Sequence, residues 1–157
     1  MPNQNQANSA LTYYLHYGSI VDRRLRVVAA LLTQILAEPA FNVLRTREQL
    51  GYVVSANTWS LSGSSERGLR IVVQSEKTPG YLEQKVEAFL EEMRSKLEEM
   101  AVVELDEHKT SLRKKWLEAA KNLSEESSHF QTHVTSGHWD FLRSMIPFSG
   151  KCFNLTS

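Results

Sequence analysis

Cysteine is nearly absent. Cys152 is the single one in 157 residues, which excludes an internal disulfide framework and fits a reducing compartment. Long apolar runs are missing too: Val27 to Leu32 is among the longest, far short of the roughly 20 residues a bilayer-spanning helix needs. The start, MPNQNQANSA, lacks the charged-then-apolar layout of a secretory signal. There is no excess of charge of either sign, because 18 Lys and Arg balance 18 Asp and Glu. That balance gives no electrostatic footprint for nucleic acid or an anionic membrane. Nor is there a phosphate-cradling loop, since SGSSERG lacks the lysine such a loop uses. These absences give the expectation of a cytoplasmic protein with no nucleic-acid or membrane partner.

The residues present are those of a folded domain: 41% hydrophobic and 23% charged. Residues 1–10 are assigned to a flexible polar lead, whose last positions already open a β-prone stretch, SALTYYLHYGS. In that strand Leu11, Tyr13 and Leu15 face one side, with Tyr14 and His16 on the other. From Asp22, a natural N-cap, the period becomes helical, with Leu25, Val28, Ala29, Leu32, Ile35 and Leu36 on one stripe. Pro39 ends or offsets this helix, for want of an amide hydrogen, and a short helical segment from Phe41 to Arg47 follows.

LGYVVSANTWSL and GLRIVVQSE then read as a hairpin with SGSSER at its tip. Leu69, Ile71 and Val73 alternate with Arg70, Val72 and Gln74, so one face is the deeper. Thr78-Pro79-Gly80 starts a helix over Tyr81 to Met100, whose apolar stripe runs through Leu82, Val86, Phe89, Leu90, Met93 and Leu97. A further helix spans about Val103 to Lys121, with Leu105, Leu112, Trp116, Leu117 and Ala120 available for packing. Another, capped by Ser124, reaches about Gly137. The order of elements predicts an α+β fold, an antiparallel sheet packed by helices. Three strands are few for so many helices, so the chain reads as part of a domain. Residues 11–143 form that partial domain, and 144–157 an irregular tail.

Candidate chemistry is sparse. His129 and His133 lie four apart on a predicted helix with His138 nearby, a spacing that can ligate zinc. The glutamate that hydrolytic versions carry inside the motif is missing, and ordinary surface histidines are the better reading. Cys152 has no histidine partner near it in sequence and reads as an inert thiol. The informative stretch is FNVLRTREQLGYVVSANTW. Arg45 and Tyr52 are long planar donors: one can hold a peptide carbonyl, the other an oxyanion. On the residues alone the better reading is an arginine at a helix C-terminus and a tyrosine buried on a strand.

FNVLRTREQLGYVV resembles the signature of the fourth, non-catalytic domain of the insulin-degrading-enzyme, or pitrilysin-type, metallopeptidase family. The likeness continues through GLRIVVQSEKTPGYLEQKVEAFL and LSEES to HWDFLR, over roughly residues 11–143. The resemblance implies a mitochondrial-processing-peptidase-like α+β domain of the C-terminal lobe of a zinc endopeptidase. It also implies that Arg45 and Tyr52 bind peptide substrate beside a zinc held by the N-terminal lobe. The H-x-x-E-H motif occurs nowhere in this sequence, so the expectation is a chain with no metal site or catalytic residue of its own, inactive alone. Its partners would be a zinc-bearing lobe and a peptide, with self-association possible through a truncated sheet edge. The alternative is a stand-alone protein-interaction module with no role in proteolysis.

Overall fold

A computed structural model describes residues 8–19, 21–60, 65–118 and 120–135. Three strands, β1 (Ser9–Ser19), β2 (Val53–Ser60) and β3 (Glu66–Ser75), form an antiparallel sheet in the order β1-β3-β2. The expected hairpin is β2–β3, with Val54 opposite Val73 and Thr58 opposite Leu69. β1 is the SALTYYLHYGS stretch read as a strand, Ser9 and Ala10 continuing the ladder opposite Ser75 and Gln74. β1 and β2 are the outer strands, so each carries one unpaired backbone edge among the described residues.

Side chains alternate across a sheet, and the odd positions of β3 carry the core: Leu69, Ile71 and Val73 are at most 1% exposed. Leu11, Tyr13 and Leu15 of β1 and Val54 of β2 extend that face. The helices α1 (Arg23–Ala40) and α2 (Pro79–Glu99) cover it. α2 contributes Leu82, Val86, Phe89 and Met93, the stripe expected from a 3.6-residue period. Burying each such side chain contributes roughly 1.5–3 kcal/mol. On the opposite face Tyr14 meets Trp59 edge-on at 5.9 Å, and the Arg70 guanidinium lies 5.1 Å over the Trp59 ring.

Asp22 caps α1 as expected, its carboxylate accepting from the Arg24 and Leu25 amides at 2.8 and 3.2 Å. The phase of α1 differs from expectation: Val27 and Leu31 are buried, while Val28 is exposed and Leu25 and Leu32 only half-buried. An unbroken apolar run from Val27 to Leu32 carries no information on which side faces inward. By length and composition the helix from Arg24 to Arg47 could cross a membrane. Its inward face is instead taken up by the sheet and by α3.

α3 spans Val102–Leu117 and ends earlier than expected, because the chain turns extended at Glu118. Leu112 is buried and Leu105 and Trp116 are half-buried, whereas Leu117 and Ala120 are exposed. α4 (Leu123–Thr135) is not capped by Ser124. The Asn122 side chain accepts from the Glu125 amide at 2.9 Å, and the Glu125 carboxylate accepts from the Lys121 amide at 2.9 Å. The cap therefore lies two residues earlier, at Asn122, with Glu125 three residues on bonded to the amide before the cap rather than to the cap's own.

Candidate functional site

Pro39 does not end α1; it lies inside it. The chain runs on into a π-helical segment over Phe41–Arg47, the range expected from sequence, now with a wider turn. The Phe41 amide donates to both the Ala37 and Glu38 carbonyls. The Glu48 amide reaches back five residues to the Val43 carbonyl at 2.8 Å, and the Leu50 amide six residues to that of Leu44 at 3.0 Å. Val43 and Leu44 are buried, while Phe41 and Arg45 share the outer side.

The segment is pinned to α2 by charge. Arg47 donates to Glu92 at 2.6 Å, and Lys85 pairs with Glu48 at 2.6 Å. The hydrogen bond from Arg47, with a second contribution from Lys96, pushes the Glu92 carboxyl down to about 2. The hydrogen bond to Glu48 pushes the Lys85 ammonium up.

After Glu48 the backbone turns through Gln49, whose φ of 50° lies in the left-handed region. Leu50 then anchors in the core at 2% exposure. Gly51 presses onto the end of β3: a Cβ there would sit 1.8 Å from the Gln74 carbonyl oxygen. No side chain fits that approach. This contact sets Tyr52 down beside the π-helical segment, one residue before β2.

The two sequence-predicted site residues are thereby brought together. The Arg45 guanidinium lies 4.9 Å over the Tyr52 ring and 4.7 Å over the Phe41 ring. Tyr52 is 82% exposed, so it is not the buried strand tyrosine of the structural alternative. Among the described residues the side chains of Arg45 and Tyr52 make no hydrogen bond or ion pair. Arg45 and Arg47, two positions apart, thus have opposite roles: one is paired to a carboxylate, the other holds its donors free at the surface. Phe41 was not singled out in the sequence, although a phenylalanine four residues before an arginine on a helix was the available signal. A recess of about 340 Å³ adjoins Tyr52, lined by Gln49, Gln74, Glu76 and Lys77 among others.

Among the described residues no group of three or more His, Cys, Asp and Glu side chains converges. The α4 backbone places His129 and His133 one turn apart; their side chains, like His138 and Cys152, lie outside the described residues.

Residues 31–131 match the family described as PQQ synthase PqqF-like, C-terminal lobe domain 4. The chain is 34% identical to insulin-degrading enzyme of Drosophila melanogaster over 141 residues, 90% of this chain and 14% of that protein. It is 41% identical to insulin-degrading enzyme of Homo sapiens over 113 residues, 72% of this chain and 11% of that protein. The chain thus spans well under a fifth of the length of these relatives. Among solved structures, pitrilysin superposes with a TM-score of 0.74 at 28% identity, covering 89% of this chain and 15% of pitrilysin. The periplasmic protease PqqL from Escherichia coli shares the fold, with a TM-score of 0.60 at 14% identity. By the match over residues 31–131, well over half of its length, this chain belongs to the PqqF-like C-terminal-lobe domain 4 family, related to the insulin-degrading-enzyme and pitrilysin proteases.

Proposed function

We propose that this chain is the non-catalytic C-terminal-lobe domain of a zinc-dependent metalloendopeptidase, and that Arg45 and Tyr52 hold the peptide substrate. The supporting observation is the pair itself: an arginine and a tyrosine in ring contact at the surface, with no protein partner among the described residues for their donors. A guanidinium with free N–H groups binds a peptide carbonyl, and a phenol donates to the oxyanion of a tetrahedral intermediate. The metal belongs to a separate zinc-bearing lobe, the principal partner in this reading. The cytoplasm is the proposed compartment.

The test is a kinetic comparison in a full-length relative, at the tyrosine matching Tyr52 and the arginine matching Arg45. Tyrosine to phenylalanine removes only the hydroxyl, and the expected result is a fall in kcat of about 100-fold, the usual cost of one oxyanion donor. Arginine to alanine is expected mainly to raise KM. Unchanged kinetics for both variants would show that the pair serves structure alone.

The edges of β1 and β2 that are unpaired among the described residues support a second reading, a module that self-associates through its sheet. A concentration-independent monomer in sedimentation would refute it.

A further inference from the structure

We propose that Phe41 is a positioning residue for Arg45: its ring fixes the guanidinium while leaving every N–H donor available to the ligand. The proposal rests on the peptide-holding reading of Arg45 given above and adds to it the device that keeps the arginine ready. A surface arginine can be held in place in two ways. A carboxylate partner holds it by hydrogen bonds, but occupies its donors and neutralises its charge. Arg47 is held this way, through Glu92 at 2.6 Å. An aromatic ring holds the cation through its π face, which restricts the side chain yet uses no N–H. Arg45 is held in this second way, with its Cζ 4.7 Å from the Phe41 centroid and 4.9 Å from that of Tyr52.

The two rings are not equivalent. Tyr52 sits on an irregular stretch, 82% exposed, and its hydroxyl has its own task in the proposed site. Phe41 sits on the helix, its amide bonded to the Ala37 and Glu38 carbonyls, with the buried Ala40 and Leu44 on either side of it. The fixed ring is therefore Phe41. Tyr52 can leave the guanidinium to meet a substrate without releasing Arg45. The same logic accounts for a phenylalanine that is 42% exposed when the core has no use for its outer face.

The experiment uses the whole 157-residue chain with its arginines isotopically labelled, and acetyl-tetra-alanine amide as the peptide probe. In the unmodified chain the Arg45 side-chain protons are expected to be shifted upfield by the rings, and the Arg45 Nε–Hε signal to move as peptide is added. Phe41→Leu keeps an apolar side chain of similar volume. It is expected to reduce the upfield shift and weaken peptide affinity about two- to fivefold, the worth of one exposed cation–π contact. Phe41→Tyr is expected to restore both. Melting curves check that each variant is folded, and Phe41→Met replaces the leucine variant if that one is not.

Unchanged Arg45 signals and affinity in Phe41→Leu would overturn the proposal. So would a lost ring shift with affinity intact, since the ring would then hold the arginine to no purpose. A normal ring shift in the unmodified chain with no peptide-induced movement would instead refute the peptide-holding reading, and the positioning role with it. The persisting ring shift tells that failure from the others.

Discussion

Gly51 is the residue on which the site geometry turns. Its missing side chain lets the backbone lie against the end of β3, and a methyl group there would be driven to 1.8 Å from the Gln74 oxygen. Because that neighbour is backbone, it has little room to give. Gly51→Ala is expected to cost about 2–3 kcal/mol in urea denaturation, in the range for forced overpacking, and to displace Tyr52 from Arg45. Gly80 is the control: nothing lies within 4 Å of its added Cβ, and it sits in the first turn of α2. Gly80→Ala is therefore expected to be neutral or to stabilise by up to about 1 kcal/mol. Arg45 and Tyr52 were legible in the sequence as donors of the right type seven positions apart. Phe41 was not singled out: its spacing of four from Arg45 permits the contact, but only the folded segment shows that the ring meets this cation.

At the scale of elements, the π-helical segment matters most, since it carries Arg45 and, through Arg47 and the following Glu48, two ion pairs to α2. Glu92 reports on that link. Its carboxyl is held down to about 2, from an ordinary value of 4.5, first by the hydrogen bond from Arg47 and then by Lys96. A carboxyl depressed in the folded state contributes stability that is complete above about pH 4.5, and that is lost as pH falls from there through about 2. Carbon-detected titration of Glu92 is expected to place its midpoint near 2, and Glu92→Gln to flatten the stability profile in that window. A midpoint near 4.5 would show the link to be absent in solution. The segment itself was foreseen over the right residues, but its wide turn was not. Pro39 announces a missing hydrogen bond, whereas the chain's way of absorbing it depends on where Val43 and Leu44 must bury.

Across the whole molecule, stability is concentrated in one layer between the sheet and α1 and α2, and it fades towards α4. Phe89 is 1% exposed within that layer, whereas every side chain described in α4 is exposed, Leu123 at 81%. Phe89→Ala is expected to cost about 3–5 kcal/mol by cavity formation. Leu123→Ser is expected to change stability by less than about 0.5 kcal/mol, measured by the same denaturation. A large loss from Leu123→Ser would mean that α4 packs on something in solution.

By itself the sequence determined what short-range physics controls. The alternation in β1 and β3, the Asp22 cap and the stripe of α2 all follow from side-chain period and local hydrogen bonds. Tertiary structure decided the rest: the inward phase of α1 within its all-apolar run, the end of α3 at Leu117, and the meeting of Phe41, Arg45 and Tyr52. The phase of α1 and the setting of Tyr52 beside Arg45 depend on contacts between positions far apart in sequence, such as Gly51 against Gln74, which only the packed backbone brings together.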